Sequence, residues 1–468
     1  MNPVQASHPD AFLPEASSER VPMLDLLRGM AVLGILVTTI QTFGLTEAQV
    51  QQLIRGPHGG TYKLATLVQV LFGNAMPALF TMVFGAGILL FLARPKTAAG
   101  MAIPELYIRR QLWLIAFGLI NALGFLCTSD LLFFYGIIGV FLFPFRLLST
   151  RALLIAAIIT ALIYSGKTYW NFREQQQNYE KFQTVEGLEK KQKNLEKKGK
   201  KNSKAKKREL TDEQKEAKSA WEGLLNDQKF DPKQNDATIK AMRSDYSTVW
   251  NHLLPKIQAT QAQYFYRLGL WDLASMLLLG MVLFRRGFFT NQLSTRQYVI
   301  LAIGGLLTGL TLNGLAAFSH ESLLRDFTKY VATNGLPWHD VFRPFAQAFS
   351  AMGWASLVLV IYRAGLVLWL WQAIGAVGQM GLTAYLIQSV MGTLFFYGYG
   401  FGYFDALPFH QLYTVVAEIW LLQLVFSVVW LRHYRLGPVE WLWESLSYGK
   451  WQPMRRHETS PETARALS

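Results

Sequence analysis

The sequence is short of charge. Only 16% of its 468 residues are Asp, Glu, Lys or Arg, against about 25% in soluble domains. With 51% hydrophobic residues, 14% aromatics and a mean hydropathy of +0.19, an ordinary soluble domain is excluded. There is one cysteine, Cys127, so no intrachain disulfide and no thiolate cluster is expected. The histidines number 8, and none stands in a His-x-x-x-His or Glu-x-x-His spacing, so no metal is expected. No P-loop, no dinucleotide fingerprint between strand and helix and no serine nucleophile elbow is present, which leaves nucleotide hydrolysis and serine-hydrolase chemistry without support.

What the sequence has is long apolar runs. A spanning helix needs roughly 20 mostly apolar residues, and ten segments qualify: 25–45, 64–94, 108–127, 130–147, 151–169, 264–284, 296–317, 342–361, 368–398 and 410–432. The second reads as a shallow or tilted stretch to Asn74 followed by the span, with Pro77 at the join. The third and fourth form a tight hairpin about Thr128 and Ser129. In the ninth, Gly375, Gly378 and Gly381 favour a bend. The fold class expected is therefore all-α and polytopic, in a lipid bilayer.

Short loops set the orientation. Arg94, Lys96, Arg109 and Arg110 fall between spans two and three, Arg146 and Arg151 between four and five, Arg285, Arg286 and Arg296 between six and seven, and Arg363 between eight and nine. Arg432, Arg435, Lys450, Arg455 and Arg456 follow span ten. All share one side, while Thr128–Ser129 and 400–409 on the other hold almost no Lys or Arg. Both termini are expected in the cytoplasm. The same bias explains the net charge of +14 without nucleic acid. Residues 1–22 are polar, carry Pro3, Pro9, Pro14 and Pro22, and do not read as a cleavable signal.

The division expected is a polar segment 1–22, spans one to five in 23–169, a charged helical insertion 170–256, spans six to ten in 257–432, an interfacial cytoplasmic helix 433–450, and a disordered tail 451–468. The insertion would lie outside, in the periplasm of a bacterium. Thr211 to Gln214 reads as a capping box, and Asp231-Pro232 as an N-cap followed by a first-turn proline. The very basic run 190–208 reads as a solvated helical hairpin or a disordered tip; the functional alternative is a docking surface for anionic lipid headgroups or an acidic partner.

Several motifs stand out: Leu24-Asp25-Leu26-Leu27-Arg28-Gly29 followed by Leu33-Gly34-Ile35-Leu36, the stretch FTMVFGAG at 80–87, Asp130-Leu131-Leu132 with Tyr135-Gly136, the stretch GQMGLTAYLIQS at 378–389, and Gly437-Pro438-Val439-Glu440-Trp441-Leu442-Trp443. On these the chain resembles the YeiB-like bacterial inner-membrane proteins, a domain family of unknown function. In its Leu-Asp-x-x-Arg-Gly opening that family is in turn similar to membrane acyltransferases such as heparan-α-glucosaminide N-acetyltransferase. The resemblance implies a helical bundle around a central funnel, located in the inner membrane, with acyl transfer from cytoplasmic acetyl-CoA to an acceptor reached from the other side. Thr39 stands where the family often has Asn, Asn121 where it often has His, and Ser129 where Gly is usual. The missing third-span imidazole puts His chemistry at that position in doubt.

Acyl transfer needs a base, oxyanion donors and a clamp for the donor's phosphates. His58, in Arg55-Gly56-Pro57-His58-Gly59-Gly60, corresponds to the loop in which the acyltransferase relatives place a catalytic His; otherwise it is an exposed loop histidine. His320 and His339, near Asp326 and Asp340, form a possible outward-facing acid–base site. Asp272 is an ionisable group inside the sixth span, which marks it as a functional candidate; Arg267, five residues earlier, lies on another helical face. Asp130 is a catalytic candidate or an N-cap. Arg343 and Gln347 at i,i+4 line a polar funnel, or Arg343 snorkels outward. Asp25 and Arg28 make a helix-start ion pair, or Arg28 faces the donor's phosphates with Arg109 and Arg110 adding to that anionic site. Asn121, Tyr135, Asn313 and Gln388 complete a polar path. Glu440 with Trp441 and Trp443 reads as an interfacial helix that braces the cytoplasmic mouth.

Three functions stay open at this point: a membrane acyltransferase, a small-molecule transporter or exporter using Asp272, Asn313 and Gln388, and a non-catalytic scaffold whose basic insertion binds a partner.

Overall fold

The structure, a computed structural model, describes residues 21–93, 102–197 and 211–455. The polar segment up to Arg20, the stretch 198–210 and most of the tail lie outside the described residues, as do Arg94, Lys96 and Arg456. Among the described residues every regular element is helical; the one β-type pairing is an isolated bridge between Tyr434 and Arg455.

The chain begins with α1 (Pro22–Gly44), then α2 (Glu47–Arg55), α3 (Gly60–Phe72), α4 (Ala75–Leu92), α5 (Ile103–Leu119) and α6 (Leu132–Leu142). Next are α7 (Thr150–Lys197), α8 (Asp212–Asp227), α9 (Pro232–Met242), α10 (Tyr246–Gln258) and α11 (Leu270–Arg285). The last part holds α12 (Thr295–Arg325), α13 (Phe327–Thr333), α14 (Trp338–Val341), α15 (Arg343–Arg363), α16 (Leu368–Gln379), α17 (Gly381–Phe396), α18 (Leu412–His433) and α19 (Pro438–Tyr448). Two π-helical stretches, Ala259–Gly269 and Ile120–Gly124, join α10 to α11 and extend α5.

Among the described residues seven helical stretches are long and apolar enough to cross a membrane: Pro22–Gly44, Gly60–Leu92, Thr150–Lys191, Tyr246–Arg285, Thr295–Arg325, Arg343–Arg363 and Phe409–His433. Leu132–Leu147 and Gly381–Phe396 are shorter apolar helices. Large apolar side chains are exposed along α7 (Ile155, Ile158, Ile159), α12 (Ile300, Ile303, Leu307) and α18 (Leu421, Val425, Val429). Apolar faces turned outward in helices that satisfy their own backbone suit hydrocarbon, not water.

The sequence breaks are where side-chain chemistry placed them. The second run divides at Gly73–Asn74, between α3 and α4, and Asn313 Nδ2 and Trp354 Nε1 donate to the freed carbonyls of Val70 and Leu71 at 3.0 and 2.9 Å. The ninth run divides at Met380. The fifth run does not stop near 169: α7 continues unbroken to Lys197. In the insertion, the capping box at Thr211 and Gln214 and the Asp231 cap both form. Trp221 of α8 is fully buried against Tyr179, Phe182 and Phe327, which seats α8 on α7 and α13.

The bundle has two chemically distinct ends. At the arginine end, α1 and α16 meet backbone to backbone. A Cβ on Gly29 would lie 2.0 Å from the Ile374 carbonyl oxygen, and one on Gly378 1.7 Å from that of Asp25; only glycine permits this approach. Arg28 donates to Asp25 at 2.8 Å and to the Gly378 carbonyl at 3.3 Å. Glu440 of α19 accepts from the backbone N–H groups of Leu382 and Thr383, at 2.6 and 3.0 Å, and from the Thr383 hydroxyl. It thus caps α17, whose first-turn N–H groups have no partner within the helix. Three motifs remote in sequence form one joint. Arg285 and Arg363 serve the same end by donating to loop carbonyls, Arg285 to Arg146 and Leu148, Arg363 to Asn291 and Leu293.

Candidate functional site

The opposite, histidine end is built from α2, α3, the end of α12 and the α13–α14 segment. The α2–α3 hairpin packs lightly: α2 buries no residue and α3 buries only Val68. A capping box at Thr46 and Gln49 starts α2. The turn Gly56–Gly59 then presents His58.

His58 Nε2 lies 2.8 Å from Glu321 Oε1, across 263 residues of sequence. Tyr62 donates its hydroxyl to Glu321 Oε2 at 2.5 Å, and its ring stacks on the imidazole with centroids 4.3 Å apart. Arg325 Nε donates to Glu321 Oε1 at 2.6 Å, and its NH2 lies 2.8 Å from His58 Nε2. The two Nε2 contacts require opposite tautomers. Donation to Glu321 puts the proton on Nε2 and leaves Nδ1 as a base; accepting from Arg325 puts it on Nδ1. The His58 side chain is 57% exposed and that of Glu321 is 11% exposed, so a shielded carboxylate holds a solvent-facing imidazole. Alongside is a cavity of about 520 Å³, whose lining includes Gln49, Gln52, Pro57, Gly59, Tyr62 and Phe409.

A second group lies on the other face of α12. His320 and His339 have ring centroids 5.5 Å apart, and His339 Nε2 is 3.1 Å from Asp340 Oδ2. Burial alone would raise the Asp340 carboxyl, but the hydrogen bond and charge of His339, with Arg343 and His320, hold it below the usual value. Asp326, placed with these residues by sequence, instead caps α13 by accepting from the Lys329 N–H at 2.9 Å. Among the described residues no group of three or more His, Cys, Asp and Glu side chains is arranged to hold a metal ion.

Deeper in the bundle the other candidates are brought together in pairs. Asp272, buried, accepts from Gln347 and has Arg343 Nε 3.6 Å away. Arg267 does not reach it and donates to Asn171 at 3.2 Å. Asp130, also buried, accepts from Asn121 Nδ2 at 2.7 Å and from the Phe133 N–H at 2.9 Å. It therefore caps the first turn of α6 and holds a polar partner at once. Tyr135 shares a 2.8 Å hydrogen bond with Thr81. Asn313 and Gln388 spend their amides on helix contacts: Asn313 on Val70 and Ser350, Gln388 on Val32 and Gln423.

Each of the three arginines expected at a donor site has partners within the protein. Arg109 pairs with Glu105 on an exposed face at 2.7 Å. Arg110 stacks over Trp443 at 3.9 Å and Phe91 at 4.9 Å from the ring centroids. Arg28 bonds through NH1 to Asp25 and Gly378, and its side chain stays 29% exposed.

Glu321, Tyr62 and Arg325 went unrecognised in the sequence. The one local signal was Glu321 and Arg325 at i,i+4 at the end of an apolar run, a pattern common on solvated helices.

Comparison with known proteins adds the lineage. The chain is 30% identical over 450 residues to "Uncharacterized protein YeiB" of Escherichia coli (strain K12), covering 92% of this chain and 96% of that one. The chain belongs to the YeiB-like family. The family model described as "Protein of unknown function (DUF418)" matches residues 283–450, from the end of α11 past α19, and so contains the GQMGLTAYLIQS and Glu440 motifs. "Uncharacterized protein YxaH" of Bacillus subtilis (strain 168) is 25% identical over 451 residues, covering 95% of this chain and 98% of that one. Such bacterial YeiB-like relatives and the apolar helices together make this a bacterial membrane protein. No solved structure matches the chain.

Proposed function

We propose that this YeiB-like protein is a ten-span inner-membrane acyltransferase with both termini in the cytoplasm. In this reading the arginine end faces the cytoplasm and the histidine end faces the periplasm. The observation that carries the reading is the His58–Glu321 contact beside an open cavity. A carboxylate fixing an imidazole is the arrangement that orients a general base.

With the proton on Nε2 and bonded to Glu321, His58 Nδ1 takes the proton of an acceptor hydroxyl or amine seated in the adjoining cavity. Glu321 holds the ring and stabilises the imidazolium that forms. Tyr62 and Arg325 keep Glu321 in place. Acetyl-CoA, when bound, would supply a thioester carbonyl that the acceptor attacks; the C–S bond breaks as the new acyl bond forms, and CoA leaves as the thiol with the proton that His58 took. Arg28 fits the holding of one of the donor's phosphates, because among the described residues only its Nη1 is engaged and the side chain is partly exposed. Arg109, paired with Glu105, and Arg110, stacked on Trp443, have less freedom to join that clamp. A transport reading has less to draw on, since Asn313 and Gln388 are committed to helix contacts.

The test is thermal stabilisation of the detergent-purified protein by acetyl-CoA and by CoA. A saturable rise in Tm, lost in Arg28→Ala and kept in His58→Gln, is expected. No rise at millimolar ligand overturns the thioester donor.

A further inference from the structure

Two buried carboxylates, remote in sequence, are each held by a side-chain amide: Asp272 by Gln347 and Asp130 by Asn121. Asp272 is 6% exposed and Asp130 3%. A carboxamide is both donor and acceptor. Its NH2 donates to a carboxylate; turned over about its last bond, its oxygen accepts from a carboxylic acid. Each pair is therefore satisfied with or without a proton. For Asn121 the turn breaks no other bond, because its Oδ1 has no hydrogen-bond partner among the described residues.

The charged and titratable groups facing Asp272 come from four packed elements. Arg343 approaches from α15, Asp340 from α14, Tyr164 from α7 and Tyr135 from α6, while Tyr264 accepts from Arg343 at 3.4 Å. Arg343 Nε stands 3.6 Å from the carboxylate and makes no hydrogen bond. A metal cation requires several oxygens close around it, and here a guanidinium occupies the open side. The ligand this set accepts is a proton. Facing Asp130 are Cys127, Tyr135 of α6, whose hydroxyl is shared with Thr81, and Tyr385 of α17, whose hydroxyl accepts from the Leu131 N–H at 3.0 Å. Buried carboxylates of this kind in membrane spans serve as proton carriers.

We infer that Asp272 and Asp130 are two proton-binding sites inside the bundle, each held by a side-chain amide that serves both the charged and the neutral carboxyl. The inference stands on these contacts and does not require acyl transfer.

Infrared difference spectra of the purified full-length protein test it, recorded as the pH falls from about 9 to about 5, a range that ordinary exposed carboxylates do not enter. Wild type gains two protonated-carboxyl bands; Asp272→Asn loses one and Asp130→Asn the other. Asp272→Glu keeps its band at a shifted position, which separates loss of a site from loss of fold. Two bands retained in either Asn variant, or no band in wild type, overturns the inference.

Discussion

The arginine end and the histidine end differ in how their polar groups are used. At the arginine end Asp25, Arg28, Thr383 and Glu440 bond to one another's helices, and α1 and α16 touch through glycine. At the histidine end His58 hangs on a turn between two lightly packed helices and is held by Glu321 and Arg325 of α12 and by stacking on Tyr62. The most recognisable motifs of the sequence thus lie where the molecule is joined. The chemistry we assign to it lies where it is open. Distinctive sequence here marks tight packing, which tolerates few alternatives, as readily as it marks a reaction.

That contrast can be broken at its strong end first. Gly378→Val should abolish the folded, monodisperse protein on size exclusion, because its Cβ would meet the Asp25 carbonyl at 1.7 Å and backbone cannot yield as a side-chain tip can. A well-folded Gly378→Val would mean that the joint is slack. Glu440→Ala is expected to fold with a clearly lower Tm. It leaves the N–H groups of Leu382 and Thr383 and the Thr383 hydroxyl without their acceptor, a loss of about 2–3 kcal/mol. A Tm equal to wild type would remove Glu440 from the joint.

The smallest effect is at the histidine end, and it depends on pH. The Asp340 carboxyl is held below its usual value, in opposition to its burial, by His339, Arg343 and His320. A depressed carboxyl adds stability above its unfolded value and loses it as the pH falls through the folded one. Asp340→Asn should therefore lower Tm slightly near neutral pH and flatten the fall of Tm in acid. An equal acid slope in both proteins would show that the His339–Asp340 contact carries no net stability.

Much of the architecture was legible because it is local. The Asp25–Arg28 pair follows from i,i+3 spacing, the breaks at Asn74 and Met380 from nearby Pro and Gly, and the caps at Thr211 and Asp231 from short-range hydrogen-bond chemistry. The site was less legible because its partners are remote. His58 was identified, yet Glu321 lies 263 positions away. Asp272 and Gln347 were singled out apart, and nothing in the sequence pairs them across 75 positions. Asn313 and Gln388 read as path-lining because a polar residue in an apolar run looks the same whether it faces a cavity or a neighbouring backbone carbonyl. Glu440 read as part of an interfacial helix because the N–H groups it caps belong to a helix break some 57 positions earlier.

The central claim is that the reaction is run from the histidine end. Its most direct test is transfer of label from acyl-labelled acetyl-CoA into the envelope fraction, measured in membranes carrying wild type or His58→Gln at matched levels of folded protein. We expect incorporation in wild type and its loss in His58→Gln, with stabilisation by acetyl-CoA retained. Equal incorporation in the two would contradict the account.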